Sequence, residues 1–176
     1  MRHHPILAAS ILGSVIAAGA QAQLDEYQVK AAFLYNFAKF VDWPPQVFKH
    51  AADPIIVCIV GDTPIYTQLE SATIGKTAGS RSFAVRKVSD AEHAGGCHIL
   101  FIGLADRKRI PAILGSIRKS GVLTVGETPE FIPDGGVVNF KLEDGKIRFE
   151  INLQAAEQAQ LQISSKLLSL AEIVRR

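Results

Sequence analysis

Three glycines, Gly61, Gly103 and Gly126, each close an apolar run, and two of them lead into a carboxylate, Asp62 and Glu127. In an open parallel sheet the carboxyl ends of the strands line the ligand crevice. Asp62, Gly103, Gly126 and Glu127 are therefore the candidate crevice, where two acids could meet a small ligand or serve an enzyme. The simpler account is turn chemistry, in which glycine ends a strand and an acid follows in the turn. No GxGxxG follows the first apolar run, and the chain has neither a Walker lysine nor a GxSxG elbow. No cofactor or metal is implied, and no histidine stands beside a serine or carboxylate as in a triad. His98 opens an apolar run and reads as a core histidine with a satisfied ring. Arg81, in the polar loop from Thr77 to Arg81, could meet an anion, although a surface arginine explains it as well.

The formal net charge of +2 over 176 residues is too small for a nucleic-acid binder. The longest basic cluster, Arg107-Lys108-Arg109, reads as the solvated start of a helix. At the front of the chain, Arg2, His3 and His4 precede an uncharged apolar run from Ile6 to Ala20, and Ala20-Gln21-Ala22 is an A-x-A cleavage signal. This is the pattern of a secretory signal peptide over residues 1–22, too short to span a membrane. The expectation is a nearly neutral single domain over residues 23–176, exported across the cytoplasmic membrane. Both cysteines, Cys58 and Cys97, remain after cleavage. An even count in an oxidising compartment points to one disulfide, closing a loop of about 40 residues. Two buried thiols or a metal site are the alternatives, and Cys97-His98 lacks the spacing of a zinc pair.

These residues need elements to hold them. Val29, Phe33, Phe37 and Phe40 recur at helical spacing, so residues 25–43 predict an amphipathic helix that Pro44 and Pro45 stop. Asn36 falls inside that stripe and needs a hydrogen-bond partner. "PIIVCIVGD" and "CHILFIG" read as strands buried on both faces, "SFAVRKV" and "VLTVGE" as further strands, with helices over about 64–71 and 106–119. Strands alternating with helices predict an α/β fold, a Rossmann- or flavodoxin-like mostly parallel sheet with helices on both faces. A 2-1-3 order would make the strands of Cys58 and Cys97 neighbours. "GGVVNFKLEDGKIRFEIN" reads as a C-terminal antiparallel hairpin about Asp144-Gly145, extending one edge. A short helix over 153–159 follows. The last helix is capped by Ser164 or Ser165 and carries Leu167, Leu168 and Ala171 inward.

Four blocks, "VKAAFLYNFAKFVDWP", "VCIVGD", "CHILFIG" and "GGVVNFKLEDGKIRFEINLQAA" with "LQISSKLLSLA", stand in the order and spacing of the YfiR family, the DUF4154 domain. The chain resembles that family over nearly its whole predicted mature length. The resemblance implies a periplasmic α/β protein without catalytic residues. It would repress an inner-membrane diguanylate cyclase of the YfiN type by binding its periplasmic sensor domain, lowering cyclic di-GMP and biofilm formation. Cys58 and Cys97 match the family's disulfide positions. The second cysteine pair that some members carry later in the chain is absent here. The alternative is a small-molecule sensor module that serves a membrane sensor kinase, with a homodimer compatible with either. A deep pocket at Asp62 and Glu127 favours the sensor or an enzyme, and a flat apolar surface favours the protein-binding regulator.

Overall fold

In the computed structural model, residues 12–89 and 94–175 are described, with side chains from residue 19. The predicted n-region (Arg2, His3, His4) and His93 lie outside them. The elements run α1 (Leu12–Phe40), β1 (Val41–Asp42), β2 (Ile55–Val60), α2 (Ile65–Thr73), β3 (Phe83–Val88) and β4 (Ile99–Ile102). A 3-10 turn (Leu104–Arg109) leads into α3 (Ile110–Ile117), then β5 (Leu123–Gly126), β6 (Val138–Glu143), β7 (Lys146–Asn152) and α4 (Leu153–Gln158). The chain closes with β8 (Gln162–Ile163), α5 (Ser165–Leu168) and β9 (Glu172–Val174).

Seven strands form one sheet in the order β3-β2-β4-β5-β6-β7-β9, so the first long strand, β2, lies between the second and third. Pairing is parallel from β3 through β6, antiparallel between β6 and β7, and parallel again between β7 and β9. The fold is α/β with a mostly parallel sheet, as the alternation of apolar runs predicts. Successive side chains on a strand face opposite ways. On one face, Val57, Ile59, Ile99, Phe101, Leu123 and Val125 meet α1 and α2. On the other, Cys58, Val60, Leu100 and Ile102 meet Ile110, Ile113, Leu114 and Ile117 of α3. Asp144 (φ 49°) and Gly145 (φ 70°) both take positive φ, as a type I′ turn between β6 and β7 requires.

Two elements depart from the expectation. Helix α1 starts upstream, at Leu12, and ends at Phe40 rather than residue 43, because Val41 and Asp42 pair with Ile163 and Gln162 of β8. Its buried face is Tyr27, Lys30, Ala31, Leu34, Phe37 and Ala38, while Val29 is 44% exposed. Phe33 and Phe40 pack at the margin, and Asn36 is half-buried there. The small Ala31 and Ala38 let the helix approach the sheet closely, and a buried lysine replaces the expected valine. At the C-terminus, the predicted helix is a single turn. Its Ser164 side chain caps it by accepting the Leu167 N–H at 3.3 Å. The chain then extends as β9 beside β7, so the hairpin is interior and β9 forms that edge. The opposite edge is β3, where Arg86 and Lys87 face solvent.

Candidate functional site

The carboxyl ends of β2, β4 and β5 converge, and the side chain buried there is Glu127. Its Oε1 accepts hydrogen bonds from the Leu104 N–H at 2.9 Å and the Tyr27 hydroxyl at 3.2 Å. Its Oε2 accepts from Lys30 Nζ at 2.7 Å. Lys30 also pairs with Glu26 one helical turn earlier, and its ammonium lies 4.7 Å from the Tyr27 ring centroid. Burial works against the Lys30 ammonium, but the attraction and hydrogen bonds of Glu127 and Glu26 outweigh it, so its pKa is raised. Burial, then the charge of Glu127, pushes the Tyr27 phenol up as well.

The other candidate residues border this cluster. A Cβ at Gly126 would come 2.1 Å from the Phe131 ring, so only glycine fits. Gly61 sits at φ 94°, and a Cβ there would come 2.2 Å from Asp106 Oδ2. Asp106 covers the end of β2 in this way and pairs with Arg109 at 2.9 Å. Gly103 precedes the Leu104 amide that Glu127 binds and lies against Thr63. Asp62 is exposed beside Gly61. The structure thus brings Gly103, Gly126 and Glu127 together and leaves Asp62 on the rim. The crevice is filled from within, since a helix side chain, Lys30, supplies the cation that Glu127 holds. The missed residues are Tyr27 and Lys30. The only sequence signal for Lys30 is Glu26, placed at i,i+4 to it. Among the described residues, no group of three His, Cys, Asp or Glu is placed to hold a metal ion.

Cys58 and Cys97 are bonded, with Cα atoms 5.8 Å apart, and both are buried. Cys97 lies just before β4 rather than on it. The next residue, His98, is a buried hinge of contacts. Its Nδ1 accepts the Ile56 N–H at 3.0 Å, and its carbonyl accepts the Trp43 indole N–H at 3.1 Å. Nε2 has no hydrogen-bond partner among the described residues. The ring stacks on Phe48 at 4.3 Å. Burial holds the His98 pKa below its ordinary value, Arg81 adds to this, and the Val47 carbonyl and Asp53 oppose it. The unfolded chain takes its proton first, near the usual histidine value of about 6.5. Stability is therefore full above that pH and is lost as pH falls through the lower folded pKa. Urea midpoints are expected to drop between pH 7 and 5. His98→Asn, whose Oδ1 keeps an acceptor for the Ile56 amide, is expected to flatten that drop. An equal slope in the variant assigns the pH dependence elsewhere.

A third feature is an apolar groove of about 790 Å³ between α1 and the β6–β7 hairpin. Val29, Phe33, Leu142 and Ile147 line it, with Gly19 and Ala22 closing its upper end. Leu142 is 63% exposed.

A conserved domain protein from Vibrio cholerae O1 biovar El Tor is similar at 11% identity and a TM-score of 0.48, over 68% of this chain and 54% of that one. An ABC domain in complex with L-Trp from Streptococcus pneumonia is similar at 10% identity and a TM-score of 0.49, over 68% and 55%. The chain spans about half the length of either solved chain. No curated protein matches it. The DUF4154 family model, described as YfiR/HmsC-like, matches residues 27–172, from the tyrosine that binds Glu127 to the first residue of the edge strand β9. The chain belongs to the YfiR/HmsC-like family.

Proposed function

We propose that this chain is an exported, non-catalytic regulator. Its mature part, from Gln23, binds the periplasmic sensor domain of an inner-membrane diguanylate cyclase and represses it, lowering cyclic di-GMP and biofilm formation. Family membership supports the setting. The observation that carries the choice of a protein-binding role is the filled crevice. Lys30 and Tyr27 occupy the strand ends where a sheet of this type would take a small molecule. No helix among the described residues is long and apolar enough to cross a membrane.

The contact surface in this proposal is the groove between α1 and the hairpin. Cleavage after Ala22 removes the helix turn that carries Gly19 and Ala22 and opens the groove toward Val29, Phe33 and Leu142. A largely apolar contact suits a nearly neutral domain and makes affinity only weakly salt-dependent. Repression follows from differential affinity, since the regulator favours the inactive arrangement of the cyclase by binding it more tightly. N-terminal sequencing of the periplasmic protein is expected to read Gln23. Deleting the gene is expected to raise cyclic di-GMP, and Leu142→Asp to reproduce the deletion while leaving the protein folded. Unchanged cyclic di-GMP on deletion, with no cyclase recovered from membranes, defeats the assignment. A sensor kinase recovered instead transfers it to the sensory role.

A further inference from the structure

At the amino end of the sheet, opposite Glu127, a cavity of about 580 Å³ opens beside the starts of β2 and β3. Its basic side chains are Lys39, Lys49 and Arg81, against one acid, Asp42, and its apolar lining includes Trp43 and Phe48. The most constrained of these groups is Arg81. Reciprocal backbone hydrogen bonds with Ala78, at 2.9 and 3.1 Å, fix its position in the chain. Its Nη1 donates to the carbonyls of His50 at 3.2 Å and Asp53 at 2.7 Å. Its guanidinium lies 3.6 Å from the Phe48 ring centroid. His98 stacks on that same ring. Two groups so close cannot share one face, so Phe48 is held between His98 and Arg81.

These restraints orient the guanidinium, and the nearby Asp53 carboxylate attracts it without bonding to it. The acceptors on Nη1 are uncharged carbonyls. The nearby Asp53 carboxylate instead accepts the backbone N–H groups of Lys49 and His50, at 2.9 and 2.8 Å. Among the described residues no carboxylate pairs with Arg81, and its Nε and Nη2 donors have no protein acceptor. A pre-oriented guanidinium fork with free donors matches a carboxylate better than a lysine ammonium does. An apolar wall with a few convergent polar groups is the usual make-up of a small-ligand site.

We propose that this cavity binds a small organic carboxylate with an apolar body. The carboxylate takes the free edge of Arg81, Lys39 and Lys49 supply the surrounding positive charge, and the body lies against Trp43 and the edge of the Phe48 ring. The site stands at the other end of the sheet from Glu127 and does not involve Val29 or Leu142. Its failure therefore leaves the proposed regulation of a cyclase untouched.

Trp43 is the single tryptophan of the chain and lines the cavity, so its emission reports occupancy. The probes are cyclohexanecarboxylate, its neutral amide and inorganic phosphate, titrated into the mature protein at constant ionic strength. The expected result is a saturable change in Trp43 emission with cyclohexanecarboxylate in the millimolar range or below, and none with the amide. Arg81→Lys keeps the charge but loses the fork, and is expected to weaken binding about tenfold. Lys49→Gln, at the cavity wall, is expected to weaken it a few-fold without touching the core. The proposal is overturned by the absence of a saturable change, or by equal affinity for the amide. Equal affinity for phosphate overturns it too, since the apolar wall then contributes nothing. If Arg81→Lys fails to fold, unchanged affinity in Lys49→Gln overturns it alone.

Discussion

Reduction of the Cys58–Cys97 bridge is expected to lower the thermal midpoint on the order of 10 °C. The bond spans 39 positions, and the enclosed segment contains α2 and the edge strand β3. Releasing a loop of that length restores about 3–4 kcal/mol of chain entropy to the unfolded state. In a domain of this size each kcal/mol moves the midpoint by roughly 2–4 °C. Reduced and oxidised wild-type protein, compared by calorimetry, isolate the bond. A Cys58→Ala/Cys97→Ala variant also empties volume beside the α3 leucine and isoleucines, so its loss is expected to be larger. A reduced protein that melts with the oxidised one means that the reduced unfolded chain is already restrained over this segment, so that the bond removes little entropy from it.

The second large effect is expected at Glu127. Glu127→Ala removes the partner of a buried ammonium and the acceptor of two further donors, the Leu104 amide and the Tyr27 hydroxyl. Breaking a buried pair in this way costs about 3–5 kcal/mol. Glu26, which is partly exposed, still pairs with Lys30, which places the expected loss at the lower end. Replacing both partners, Lys30→Met with Glu127→Gln, leaves only the partly exposed Glu26 without its partner, and is expected to recover most of the stability. Urea denaturation of the two variants and the parent gives the comparison. A Glu127→Ala loss no larger than that of a surface substitution, about 0.5 kcal/mol, disproves a stabilising role for the buried Lys30–Glu127 pair. The Lys30 pKa is raised in the folded state, so its contribution is whole below the unfolded lysine value and is lost as pH rises through the folded one.

The central strands were legible because each carries its own evidence. Ile55–Val60 and Ile99–Ile102 are apolar on both faces and end at glycine, which a parallel interior strand requires. The turn at Asp144-Gly145 was equally local. The orientation of α1 was not, because Val29 and Phe33 outrank Lys30 in hydrophobicity. What buries Lys30 is a carboxylate 97 positions away. Periodicity registers the side chains of one segment and is blind to such a partner. The same limit hid β9. Its three residues have no strand signature of their own and become a strand through pairing with β7. For the crevice, the glycine-acid pairs marked the carboxyl end of the sheet, but that this end is closed by Tyr27 and Lys30 follows only from where α1 lies.

The open sheet ends in two edges, and each limits self-association differently. An unpaired edge is a template for another strand. On β9 the template is three residues long, and Glu172 there is bound by Lys141 at 2.9 Å. On β3 it is six residues long, and Arg86 and Lys87 stand exposed along it. Two molecules meeting edge to edge at β3 would gather four cations along one seam, with no acid on either strand to separate them. The longer edge thus carries a charge barrier against stacking into fibres, and that barrier weakens as salt screens it.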